Sequence, residues 1–279
     1  MNTMTLQQIE DYKTHLIREE RSFETIRKYI HDVEVFFRFL PADKTFCKET
    51  VLAYKQMLAE NYRVSSANSM LAALSGFLSF AGMENCRVKQ FRMQRRTFRD
   101  ESKELTRQEY ARLVRAAQLR RDERLALLIQ TICSTGIRVS EHRFITAESL
   151  RSGSVQIANK GKVRTVLFPK ELCRLLQRYC EKNKIRTGPV FLSRRGRPLN
   201  RSNIWVQMKR LCTAAGVAPE KVFPHNLRHL FALTFYRLEK DIVRLADLLG
   251  HASIETTRIY TFTSPQEHAR ALSRMHLLL

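Results

Sequence analysis

No stretch of the 279-residue chain approaches the roughly 18 consecutive apolar residues that would span a bilayer, which excludes a helical membrane protein. The opening residues Met1-Asn2-Thr3-Met4-Thr5-Leu6 lack the basic-then-apolar order of a signal peptide, so a cytoplasmic protein with no membrane partner is expected. Cysteine occurs at six scattered positions (Cys47, Cys86, Cys133, Cys173, Cys180, Cys212) and never as C-x-x-C. That leaves no zinc-binding spacing and points to reduced thiols. A Walker-type G-x-x-x-x-G-K-[ST] is missing, as is a carboxylate set suited to two metals, so no cofactor and no metal are expected. Internal repeats and low-complexity segments are missing too.

Acids are also scarce, with 27 Asp and Glu against 49 Lys and Arg and a net charge of +22. A field of that size draws a polyanion and displaces its counterions. The imbalance is localised. Residues 1–86 carry 10 basic and 11 acidic side chains, which leaves 39 and 16 for residues 87–279. Nucleic acid is the partner this distribution favours, although a ribosomal or membrane-surface partner would also suit a basic protein.

The chain length predicts two domains. The first 83 residues read as helices without strand-like alternation: Leu6 to Glu20, a segment capped by Ser22, Lys48 to Asn61, and Ser66 to Ala81. In the second of these, Tyr29, Val33, Phe36 and Leu40 recur on one face before Pro41. The segment from Arg87 to Arg99 holds six basic residues (Arg87, Lys89, Arg92, Arg95, Arg96, Arg99) and no acid, which suits a linker strapped across phosphates. Thr106-Arg107-Gln108-Glu109 is a capping box that opens the second domain. Helices are expected at 107–118 and 122–134, then a hairpin of Val155–Ala158 and Arg164–Phe168 around Asn159-Lys160-Gly161-Lys162. Further helices are expected at 170–182, 200–215, 225–238, 241–249 and 254–260, with a short strand at Val190-Phe191-Leu192 and a tail from Pro265.

Several segments stand out chemically: Thr135-Gly136-Ile137-Arg138, the Lys160 turn, His225-Asn226-Leu227-Arg228-His229, Leu249-Gly250-His251 and Ile259-Tyr260-Thr261. In this order, with Tyr260 nine positions after His251, they resemble the tyrosine recombinases, the phage integrase family. The resemblance spans nearly the whole chain. It implies a mainly α fold with a small β-hairpin: an N-terminal helical, SAM-like core-binding domain (1–86), a basic linker (87–105), a mixed α/β catalytic domain (106–264) and a tail (265–279). The pattern departs from the family after Arg138, where Ser140-Glu141 is followed by His142 instead of the usual Glu-Leu pair.

The resemblance also implies a division of labour. Arg138 and Arg228 hold the scissile phosphate, for which a planar, permanently charged guanidinium is suited. Tyr260 is the nucleophile, His225 handles its proton, and His251 hydrogen-bonds a phosphate oxygen. Lys160 is the general acid for the departing 5′ oxygen, with Lys162 across Gly161 as its competitor and a DNA contact. His229 supports the site from behind, and Glu141 either braces Arg138 or is a plain surface carboxylate. The partner is double-stranded DNA with paired recombination sites, acted on by a homo-tetramer or a hetero-tetramer with a paralogue. The two domains then clamp a duplex, and the tail docks on a neighbouring protomer or folds onto its own domain. The expected activity is site-specific strand exchange through a 3′-phosphotyrosine and a Holliday junction. The alternatives are a type IB-like topoisomerase and a catalytically silent DNA-binding protein.

Overall fold

The computed structural model describes residues 2–92, 101–159, 162–193, 195–261, 269–270 and 273–275. The chain divides into two compact units, Met1–Arg95 and Arg96–Leu279. Among the described residues no helix is long and apolar enough to cross a membrane.

The first unit contains α1 (Leu6–Arg18), α2 (Phe23–Phe39), α3 (Lys48–Asn61) and α4 (Val64–Phe80). Thr5 and Gln8 form a reciprocal cap that starts α1, and the Ser22 hydroxyl starts α2 by accepting from the Thr25 N–H. The face expected on α2 turns inward: Val33, Phe36 and Leu40 are buried and Tyr29 half-buried. Phe36 meets Phe46 and Tyr54 edge-on, at ring distances of 5.6 and 4.9 Å, which centres the core on three aromatic rings. One feature departs from the sequence reading. Asn2–Thr3 (β1) and Thr45–Phe46 (β2) pair antiparallel, in strands too short to leave an alternation. Past α4, Val88 and Phe91 pack onto this core, and Asn68 bonds both the N–H and the carbonyl of Phe91 (2.8 and 2.9 Å).

The second unit opens with α5 (Arg107–Leu119), where the Thr106/Glu109 cap forms as its residue types require. α6 (Glu123–Thr135) follows and stops at Gly136, whose φ of +65° is left-handed. A 3₁₀ turn over Val139–Phe144 leads to α7 (Ala147–Ser152), a short helix absent from the sequence reading. β3 (Ser154–Asn159) and β4 (Lys162–Leu167) form an antiparallel ladder from Ser154↔Leu167 to Asn159↔Lys162. β3 thus extends past its expected segment at both ends, β4 starts earlier than expected but stops before Phe168, and Lys160 and Gly161 lie outside the described residues.

α8 (Lys170–Lys182) precedes two corrections. Val190–Leu192 is not a strand: only the single bridges Thr146↔Pro189 and Leu192↔Pro198 form, since proline has no N–H to extend a ladder. The helix expected over 200–215 is two, α9 (Arg201–Lys209) and α10 (Cys212–Ala215). α11 (Pro224–Glu239) starts on Pro224, whose fixed φ suits a first helical position. α12 (Ile242–Leu249) forms where it was expected, while the helix expected over 254–260 is α13 (Ile254–Thr257) followed by a 3₁₀ turn, Arg258–Tyr260. The main core runs through α5, α6, α8 and α9. A smaller cluster, Ala232, Leu233, Leu245 and Leu249 from α11 and α12, packs around Tyr260.

Candidate active site

The site is organised by the end of α12. A helix leaves its last carbonyls without intrahelical partners. Here the His251 N–H bonds the Ala246 carbonyl and the Gly250 N–H that of Asp247, a Schellman closure that needs the left-handed φ of +62° at Gly250. The next three carbonyls each go to a different arginine. Arg164 on β4 donates to Leu248, Arg228 on α11 to Leu249 (2.8 Å), and Arg138 after α6 to Gly250 (3.4 Å). Cations are favoured at a helix C-terminus by its partial negative charge. The Leu248-Leu249-Gly250 run therefore gathers three guanidinium groups drawn from distant parts of the chain.

Arg228 is 3% exposed and also donates 2.6 Å to the Gly136 carbonyl. Its second Nη2 contact is His251 Nε2, at 3.1 Å. A guanidinium only donates, so Nε2 accepts, the imidazole is neutral, and its proton sits on Nδ1, 2.8 Å from the Thr257 hydroxyl. Burial, with Arg228, Arg138 and Arg164 nearby, brings the His251 pKa down to about 4. Burial and the same neighbours lower Arg228 to about 10, so it stays charged at neutral pH.

Glu141 is the counter-charge. Its carboxylate is 2% exposed and accepts from the Arg138 backbone N–H (2.7 Å), the Arg138 guanidinium (3.0 Å) and Arg164 (2.6 Å). Burial alone would raise its pKa; the Arg138 N–H and the two guanidinium groups hold it below the ordinary range. Glu141 is therefore a brace for two arginines, not a surface carboxylate. The following His142, where the sequence departs from the family pattern, is buried against Phe191 with Nδ1 2.5 Å from the Val139 carbonyl.

Tyr260 is 3% exposed, its ring 5.0 Å from that of His229 and 6.5 Å from that of His251, nearly parallel to the latter at 13°. Burial raises its pKa, while Arg228 and Arg138 pull it back toward the phenolate. His229 Nε2 in turn lies 3.4 Å from a Glu104 carboxylate oxygen. The His225 pKa is lowered by burial first, then by Arg228, His229 and Arg138, which leaves the ring neutral and able to accept a proton. His225, Arg138 and Arg228 line one cavity of about 720 Å³; Arg138 also lines a second of about 670 Å³ with Arg164, Arg244 and His251.

Arg138, His225, Arg228, His251 and Tyr260 thus share one cationic centre. Of the basic strap, Arg87, Lys89 and Arg92 are exposed, while Arg95, Arg96 and Arg99 lie outside the described residues, as does Lys160. Lys162 begins β4. The sequence reading missed Arg164, Thr257 and Glu104. Only Arg164 left a signal: it shares a strand face with Val166, which is buried, and an inward arginine requires an acid such as Glu141.

The Phage integrase family model matches residues 103–267, and the model of the Phage integrase N-terminal SAM-like domain matches residues 9–85. Tyrosine recombinase XerA of Thermococcus kodakarensis is 30% identical over 281 residues, covering 97% of this chain and 95% of the relative. XerA of Pyrococcus furiosus is 27% identical over 288 residues, covering 99% and 96%. Among solved structures, a lambda integrase tetramer bound to a Holliday junction is similar in fold, with a TM-score of 0.74 at 19% identity, over 93% of this chain and 78% of that one.

Proposed function

Since the chain belongs to the phage integrase family, we propose that it is a site-specific DNA recombinase that cuts and rejoins strands through a covalent tyrosine intermediate. One observation carries the reading: a buried tyrosine stands beside a neutral histidine that is bonded to a buried arginine, in a centre holding three guanidinium groups and one carboxylate.

Arg138 and Arg228 hold the non-bridging oxygens of the scissile phosphate, and their fixed charge stabilises the pentacoordinate transition state. The Tyr260 hydroxyl attacks phosphorus, forming a 3′-phosphotyrosyl bond as the bond to the 5′ oxygen breaks. His225 takes the phenolic proton, and Lys160 supplies one to the departing 5′ oxygen, which leaves as a hydroxyl. As the phosphate takes over the Arg228 Nη2 donor, the His251 proton moves to Nε2 to bond a phosphate oxygen, and the Thr257 hydroxyl turns to donate to Nδ1. The phosphodiester is conserved in the tyrosyl ester, so a 5′ hydroxyl from a second duplex rejoins the strands without a nucleotide cofactor.

Residues 1–86 serve as the core-binding domain, 106–264 as the catalytic domain, and the basic residues of 87–105 with Lys162 as phosphate contacts. Four protomers, identical or shared with a paralogue, act in pairs on two sites, with residues 265–279 docking on a neighbour. Work on DNA with unpaired cysteines fits the cytoplasm.

The test is covalent capture on a randomised pool of nicked suicide duplexes. A detergent-resistant protein–DNA adduct that maps to Tyr260 and is lost in Tyr260→Phe is expected. Full recombination by Tyr260→Phe would overturn the proposal, and relaxation of any plasmid by the monomer would point to a topoisomerase instead.

A further inference from the structure

The phosphate centre does not use one wall of the cavity it opens into. The cavity of about 720 Å³ is lined by Arg138, His225 and Arg228 and also by α9, Phe223 and Pro224. Asn200 caps α9 by accepting from the Ser202 N–H (2.8 Å), and this sets the phase of the helix. Arg201 and Trp205 are one turn apart, as are Ser202 and Val206, so this single face of α9 meets the cavity. Trp205 is the only tryptophan in the chain and is 47% exposed. Lys209 lies over its ring, 5.2 Å from the centroid, and also bonds the Pro219 carbonyl, which steadies the indole. No acidic side chain lines this cavity among the described residues.

We propose that this wall is a nucleoside subsite: Trp205 stacks on the base of a nucleotide adjoining the phosphate held by Arg138 and Arg228. The inference rests on the DNA-cleaving reading above and adds a ligand contact to it. An anion-holding pair that shares its cavity with an aromatic and apolar wall matches the two halves of a nucleotide, a charged phosphate and a flat apolar base. The volume falls within the ~300–1,000 Å³ typical of pockets that enclose small ligands. A base turned out of the duplex stacks on an indole whatever its letter, because every unstacked base presents a π face. The subsite therefore grips the strand at the cleavage position without reading its letter. Arg201, at the start of the same helix face, is placed to hold the next phosphate along.

The experiment uses the full chain and one duplex recovered from the captured pool. Adduct formation is timed in single turnover on the intact duplex and on two derivatives, each carrying an abasic tetrahydrofuran unit on one side of the scissile phosphate. A stacked base contributes ~1–3 kcal/mol, so one abasic derivative slows the wild type about 5- to 150-fold. Trp205→Ala is expected to be slowed by a similar factor on the intact duplex and no further on that derivative, and Trp205→Phe falls between. With Tyr260→Phe, which binds without reacting, the fluorescence of the sole tryptophan is quenched by the intact duplex and much less by the same abasic one. Unfolding midpoints of both Trp205 variants close to wild type exclude a folding defect, as the side chain is half-exposed. Wild-type rates in Trp205→Ala would overturn the proposal. So would abasic penalties at both positions that are the same in the two proteins. Absence of any wild-type adduct on the intact duplex would instead sink the cleavage reading, and the subsite with it.

Discussion

Nη2 of Arg228 donates across 3.1 Å to Nε2 of His251, so the imidazole is neutral and tied to a buried guanidinium. Its pKa of about 4 in the fold compares with the ordinary 6.5 when unfolded. The unfolded chain therefore binds a proton first as pH falls. The stabilising contribution of neutral His251 is complete above pH 6.5 and is lost as pH drops toward 4. His225 and His142, also lowered by burial, act with the same sign. Urea unfolding of the DNA-free protein at pH 7.0 and 5.0 should show lower stability at 5.0. The difference should shrink in His251→Gln, and an unchanged difference would contradict the neutral assignment.

Arg228→Lys keeps the charge but cannot serve the Gly136 carbonyl, the Leu249 carbonyl and His251 together, because an ammonium lacks the planar fork. The adduct-forming rate should drop about 10²–10³-fold, the scale seen when one preorganised transition-state donor is removed. DNA retention at low salt should change little. Rapid-quench kinetics beside a filter-binding assay separates the two effects.

Glu141→Ala leaves the largely buried Arg164 and the partly exposed Arg138 without their shared carboxylate. Breaking a buried ion pair from one side costs about 3–5 kcal/mol. Chemical denaturation at pH 7 should show a loss of that order, far above what the same substitution at exposed Glu10 costs. A loss below 1 kcal/mol would mean the two arginines do not depend on it.

Gly136→Ala meets two obstacles at once. Its φ of +65° is unfavourable for any residue with a Cβ, and that Cβ would lie 2.4 Å from Cδ1 of Phe231. Since the Gly136 carbonyl also accepts from Arg228, the variant should lose about 2 kcal/mol or more of stability and lower the adduct rate together. Stability lost with an unaltered rate would show that Arg228 finds its place without this carbonyl.

Local chemistry made much of this legible in the sequence. Ser22 and Thr106 announce helix starts, Gly136 announces a stop, and the Tyr29–Leu40 spacing marks a buried face. The same holds for Arg138, His225, Arg228, His251 and Tyr260, each framed by a short motif. Long-range satisfaction was not legible. Arg164 reaches a carbonyl 84 residues away and Arg138 one 112 residues away, and no window on the sequence registers such pairs. The break between α9 and α10 and the isolated bridges beside Pro189 and Pro198 were equally hidden, because apolar content alone does not say where a ladder or a helix is interrupted.

Three side chains from separate segments are fastened to consecutive carbonyls where one peptide spiral closes. Their mutual separation is therefore a property of that closing turn, as teeth on a single gear are spaced by the casting. Evolution can alter the loops that deliver them without detuning the centre. A slip of the spiral by one residue, however, would misplace all three together, so such a catalyst degrades abruptly and not by degrees.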